Sequence, residues 1–122
     1  MSGYQPGDEF QCLSIPIRFE KVSSIDQESG SQIFLSGFSI VGGIDQDLSA
    51  SPYGFKDVGG IYVIKVMEDG PAYRAGLRVG DRILQCNGHD FTLATHKKAV
   101  EYVRRYRALE LLVEREDECV KV

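Results

Sequence analysis

The sequence predicts an α+β fold in which strands outnumber helices and do not alternate with them. Period-two, β-branched runs recur along the chain, and only one segment carries a helical stripe longer than two turns. Asn87-Gly88 adds the strongest two-residue hairpin signal a sequence can hold. The expected order is β, β, β, short α, β, β, α, β.

The elements follow from local chemistry. Residues 1–14 are polar and rich in Gly, Pro and Gln, and read as a flexible arm. "IPIRFEKV" (15–22) alternates Ile15, Ile17 and Phe19 with polar partners, and Pro16 makes it an edge strand. "SSIDQESGSQ" reads as a turn or loop, and "FSIVGGI" (38–44) as the next strand. A long polar loop (45–58) leads to the β-branched strand "GIYVIKVM" (60–67). In "PAYRAG" (71–76), Pro71 suits a first helical position and Gly76 a left-handed helix end. "GD" (80–81) turns the chain into the strand "RILQC", and the Asn87-Gly88 hairpin returns it as a short strand at 89–91.

"THKKAVEYVRRY" (95–106) is the one substantial helix, with Thr95 as N-cap. Ala99, Val100, Val103 and Tyr106 form its apolar stripe, while Lys97, Lys98, Glu101, Arg104 and Arg105 face water. "LELLVER" (109–115) closes the domain as a final strand, and 116–122 reads as a polar C-terminal tail.

Composition narrows the function. The formal charge of −4 excludes nucleic acid as the main partner, since phosphate contacts need a basic surface. No apolar run reaches the ~20 residues of a membrane helix, and "MSGYQPGDEF" has no secretory-signal pattern. Cys12, Cys86 and Cys119 are odd in number and far apart, which fits free thiols in a reducing cytoplasm. Catalysis has one near miss. "GFSIVG" resembles a nucleophile elbow, but that motif needs glycine where Val41 stands, and no helix follows Ser39. No glycine motif cradles phosphate, and His89 and His96 lack metal-ligand spacing, so neither cofactor nor metal is expected.

One stretch, "FLSGFSIVGG" (34–43), poses a question. Gly37 sits directly before the alternation of Phe38 and Ile40, where glycine marks a bulge or a close approach. Together, "LSGF" (35–38), "GPAYRAGLRVGDRILQCNG" (70–88) and "THKKAVEYV" (95–103) resemble the PDZ domain family over residues 15–115. They correspond to its carboxylate-binding loop, its short-helix and hairpin signature, and its second helix. The resemblance implies a partly open β-barrel or sandwich of five to six strands with one short and one longer helix. It implies a protein-interaction module, not an enzyme, that binds C-termini of membrane or signalling proteins by β-strand addition.

By the same resemblance, the amides of Ser36, Gly37 and Phe38 hold the ligand carboxylate. Leu35, Phe38, Ser39, Ile40, Val41, Val100 and Val103 supply strand pairing and the pocket for the last side chain. His96 selects Ser or Thr two residues before the ligand's end, giving the class X-Ser/Thr-X-hydrophobic-COO⁻. Gly37 would then be approached by another protein's C-terminus. Ser36 replaces the usual apolar residue, an expectation of a deeper pocket for Leu, Ile or larger; Leu35 replaces the loop's common first glycine. No Arg or Lys stands immediately upstream of the loop, and Lys21 is the nearest.

The expected state is a monomer that competes with multi-domain scaffolds for shared ligands. Its alternative is an adaptor using the 45–58 loop, or the basic helix face, as a further protein or lipid surface. The basic run reads first as a solvated face and not as a membrane-lipid site. The terminal "CVKV", ending at Val122, also has the shape of a ligand for a neighbouring groove.

Overall fold

The computed structural model describes residues 10–46 and 60–121, and among these the side chains of 14–46 and 60–115. In chain order the elements are β1 (Phe10–Glu20), β2 (Val22–Ile25), β3 (Gln32–Leu35), β4 (Phe38–Gly42) and β5 (Ile61–Val66), then α1 (Pro71–Ala75). There follow β6 (Arg82–Cys86), β7 (His89–Asp90), α2 (His96–Arg105) and β8 (Ala108–Lys121). The main sheet runs β1-β8-β6-β5-β4 with β7 on β6, and β2 pairs with β3 in a separate hairpin. All pairings are antiparallel, as expected of an α+β fold.

Period-two burial sets the faces. In β1, Ile17 and Phe19 are buried while Ser14, Pro16, Arg18 and Glu20 are exposed; in β8, Leu109, Leu111 and Val113 are buried. β1 lies at one sheet edge, where Pro16 removes no interior ladder bond. The core closes over Ile61, Val63, Leu77, Ile83 and Phe91, all fully buried, and takes Ala99 and Val103 from α2. Gly76 ends α1 in the left-handed conformation, with its N–H bonded to the carbonyls of Ala72 and Tyr73. Asn87 and Gly88 have φ of 50° and 82°, the signs a two-residue hairpin needs. Thr95 caps α2 by accepting from Lys98 N at 3.2 Å.

Beyond one-residue shifts at strand ends, three differences from the sequence reading stand out. β1 starts at Phe10 and β8 reaches Lys121, because Phe10 pairs with Lys121 and Cys12 with Cys119 beyond a register shift. Parts of the expected arm and tail are therefore one antiparallel ladder. Cys119, Val120 and Lys121 are held by their own chain, and Val122 lies outside the described residues. Second, the expected loop at 23–32 contains β2 and β3. Its turn is closed by Asp26, whose carboxylate accepts from Glu28 N and Ser29 Oγ, while Gly30 N donates to Asp26 O. Third, β4 ends at Gly42 and not at residue 44. Of the 45–58 loop, residues 47–58 lie outside the described residues.

Candidate functional site

Among the described residues, β4 is the terminal strand of the sheet, with β5 on one side only. Gly37 O accepts from Met67 N at 2.7 Å, and Gly43 N donates to Gly60 O at 3.2 Å. The Gly37 carbonyl, the backbone polar groups of Ser39 and Val41 and the Gly43 N–H thus point at β5, and the polar groups of Phe38, Ile40 and Gly42 point to the open edge. α2 lies across from that edge. The edge is a strand template with a helix wall, 36–42 against 96–104.

At its lower end, the chain turns from β3 into β4 through Ser36 and Gly37, with Gly37 at φ 81°. Added to Gly37, a Cβ would meet Pro71 Cδ at 3.3 Å and Met67 Cβ at 3.7 Å. The neighbour that requires glycine is thus the start of α1, behind the loop, together with the left-handed backbone. Gly37→Ala is expected to lower unfolding free energy by about 1–2 kcal/mol, read as a shifted urea midpoint. An unchanged midpoint would mean that the loop is not strained in this way.

A pocket of about 350 Å³ opens beside this turn, lined by Leu35, Ser36, Gly37, Phe38, Ser39 and Val103 together with Phe34, Met67 and the cations Lys21, Lys65 and Arg104. Phe38 is half-buried, its ring edge-on to Phe19 with centroids 6.0 Å apart. Ile40 and Val41 do not line this pocket: Ile40 packs on the core, and Val41 pairs with Tyr62. The two valines of α2 also separate. Val103 is buried in the core and reaches the pocket, whereas half-buried Val100 lines a second depression with His96 and Arg104. Leu35 belongs to β3, paired with Val22, and not to β4.

Lys21, which the sequence offered only as the nearest cation to the loop, lines the pocket through contacts the sequence did not show. Only 7% exposed, it places Nζ 2.5 Å from Val103 O and 3.2 Å from Arg104 O, and so caps the C-terminal end of α2. Burial pulls its pKa below the ordinary lysine value, and Cys86 opposes the shift. Burial likewise pushes the Cys86 thiol up to about 11, which makes it inert. A signal from Lys21 was absent from the sequence because its partners lie 82 and 83 residues away.

The upper end is fixed by α2's first turn. His96 Nδ1 is 2.9 Å from Gly42 O, and since a carbonyl only accepts, Nδ1 carries the proton. The other ring nitrogen, Nε2, is left as an acceptor in the neutral ring. His96 N donates to Asp45 Oδ1 at 3.0 Å, a bond that holds the Asp45 carboxyl below its usual pKa. Ile44 N donates to Ala94 O at 2.9 Å. Gly43 completes the clamp, with φ 133° and a position where a Cβ would meet His96 N at 2.3 Å. Strand and helix therefore meet at this end and part toward the pocket. His89, outside the groove, stacks on Tyr102 at 3.9 Å and bonds Tyr106 Oη at 2.8 Å.

The chain matches the family model described as the PDZ domain over residues 24–114. It belongs to the PDZ domain family. This PDZ chain is 43% identical over 115 residues to "Tax1-binding protein 3 homolog" of Caenorhabditis elegans, covering 94% of this chain and 91% of that protein. It is 40% identical over 116 residues to "Tax1-binding protein 3" of Homo sapiens, covering 93% and 89%. A solved structure, "crystal structure of TIP-1 wild type", superposes with a TM-score of 0.72 at 38% identity, over 88% of this chain and 91% of that one. As a PDZ domain the chain is a protein-interaction module. Among the described residues, no helix is long and apolar enough to cross a membrane.

Proposed function

We propose that the domain captures C-terminal peptides of the class X-Ser/Thr-X-hydrophobic-COO⁻, adding them as an extra strand on β4. The observation that carries this reading is the unpaired edge of β4 beside the Gly37 turn. Among the described residues, its Phe38 and Ile40 backbone groups have no neighbouring strand, and a peptide strand would satisfy them. The amides of Ser36, Gly37 and Phe38 serve as carboxylate donors, supported by the positive charge of Lys21, a residue that lines the same pocket. The last side chain enters between Phe38 and Val103. Ser36, which adds little bulk there, favours Leu or Ile over Val. Proteins bearing such C-termini, in membrane or signalling complexes, are the proposed partners, and the proposed compartment is the cytoplasm.

His96 supplies selectivity through the tautomer that Gly42 O imposes. Nε2 accepts the hydroxyl proton of Ser or Thr at the third-last position, which alanine cannot offer. A short interface of this kind gives micromolar affinity, about −8 kcal/mol. Fluorescence anisotropy against peptides varying the last residue (Val, Leu, Ile, Phe) and the third-last (Ser, Thr, Ala, Val) tests the reading. In the parent, Ser or Thr should bind about fivefold tighter than Ala, the worth of one neutral hydrogen bond of about 1 kcal/mol. His96→Ala should erase that ratio. A mutant that still discriminates would remove His96 from the mechanism, and failure of every peptide to bind would end the strand-addition reading.

A further inference from the structure

We propose that Lys65 selects an acidic side chain at the penultimate position of the captured peptide. The inference rests on strand addition at the same groove. A carboxylate held at 36–38, the N-terminal end of β4, makes the peptide antiparallel to β4. Its last residue then lies opposite Phe38, its penultimate residue opposite Ser39 and its third-last opposite Ile40. Directly opposed residues share a face of the sheet, and neighbouring residues point to opposite faces.

Phe38 and Ile40 face the core, so Ser39 faces outward, and it is exposed. Ser39 pairs on its other side with Lys65 of β5, also exposed. Lys65, Ser39 and the penultimate side chain therefore form one row across three strands. The outer two are separated by about 10 Å, two strand spacings, which an extended lysine and an extended glutamate bridge together. Ser39 is short enough to leave that path open. The fourth-last residue falls in a different row, opposite Val41 and its partner Tyr62, neither of them charged; the cation of that row, Arg82, stands one strand further away than Lys65 does in its own row.

Charge favours the same choice. Among the described residues, Lys65 has no carboxylate within ion-pair distance. The cations Lys21, Lys65, Lys97, Arg104 and Arg105 line the two depressions, against the single acid Glu101, which already pairs with Arg105 at 3.5 Å. A chain of formal charge −4 thus presents a positive groove.

Anisotropy with two free-carboxylate peptides, identical except for Glu or Gln at the penultimate position, tests the proposal. Glu should bind about threefold tighter at low salt and lose the advantage as salt rises. Lys65→Gln should bring the Glu/Gln ratio to about one, and Lys65→Glu should reverse it in favour of a penultimate Lys. Glu at the fourth-last position should give a ratio that Lys65→Gln leaves unchanged. A parent ratio of one, or a ratio that survives Lys65→Gln, overturns the role of Lys65 while strand addition stands. Failure of both peptides to bind overturns strand addition and this selectivity with it.

Discussion

Replacing Asp81 by alanine is expected to lower the unfolding free energy by about 3 kcal/mol, at the lower end of what breaking a buried ion pair from one side costs. The Asp81 carboxylate is fully buried. It accepts from Arg78 N at 2.9 Å and from Arg115 Nε and Nη2 at 2.7 and 2.8 Å. The same turn is bound to β5, with Gly80 N donating to Val63 O and Val63 N donating to Asp81 O. Truncation removes a bidentate counter-charge of Arg115, whose side chain is only 20% exposed, and withdraws an acceptor from the buried turn. The Arg115 bond to Gly76 O remains, which holds the cost to the lower end of the range.

Thermal denaturation should show a Tm lower by on the order of 10–15 °C. Arg18 and Glu110 provide the control. Their ion pair is nearly as short, 2.9 Å, but the side chains are 77% and 58% exposed. Solvent screens such a pair, so Arg18→Ala should cost less than about 0.5 kcal/mol. Equal losses in the two variants would show that burial does not set the value of these bridges. Because β5 separates Asp81 from β4 and Asp81 lines neither depression of the groove, peptide affinity well below Tm should not change.

Asp81 also marks where the sequence stopped being legible. Residues whose reason is local were readable in place: Pro16 at an edge, Pro71 and Gly76 bounding α1, Asn87-Gly88 in the hairpin, Thr95 at the cap. The motif at 35–38 likewise marked the open end of β4. Asp81 itself read as half of a Gly-Asp turn, since nothing local announces a guanidinium 34 residues away. Lys21 was hidden in the same way by its distance from α2. The hairpin of β2 and β3 was missed for another reason. Its Ile25, Ile33 and Phe34 remain exposed, so no buried face imposes a period-two pattern. The ends of β1 and β8 gain their strand character from each other, and "FQC" and "CVK" carry no period of their own. Gly37 stood out as a point of close approach, and its immediate neighbour in the fold is Pro71, a contact that a motif cannot reveal.

Amidation of the ligand's C-terminus is expected to weaken binding about 100-fold, the equivalent of about 3 kcal/mol. Hydrogen bonds to a charged acceptor are roughly twice as strong as neutral ones. An amide also turns a donor toward the N–H groups of Ser36, Gly37 and Phe38, where only acceptors fit. The comparison gains force when Lys21 is varied with it. Lys21→Met keeps much of the buried stem, which belongs to a residue lining the pocket, while removing the ammonium that caps α2. If the ammonium supports the carboxylate, the free-acid peptide should lose several-fold in affinity on this change and the amidated peptide far less. If Lys21 serves only the helix, both peptides should lose equally, in step with a lower Tm. The double-mutant comparison therefore separates a charge that meets the ligand from one that only holds the wall of its groove. An amidated peptide that binds as tightly as the free acid would remove the carboxylate from recognition altogether, and the 36–38 turn with it.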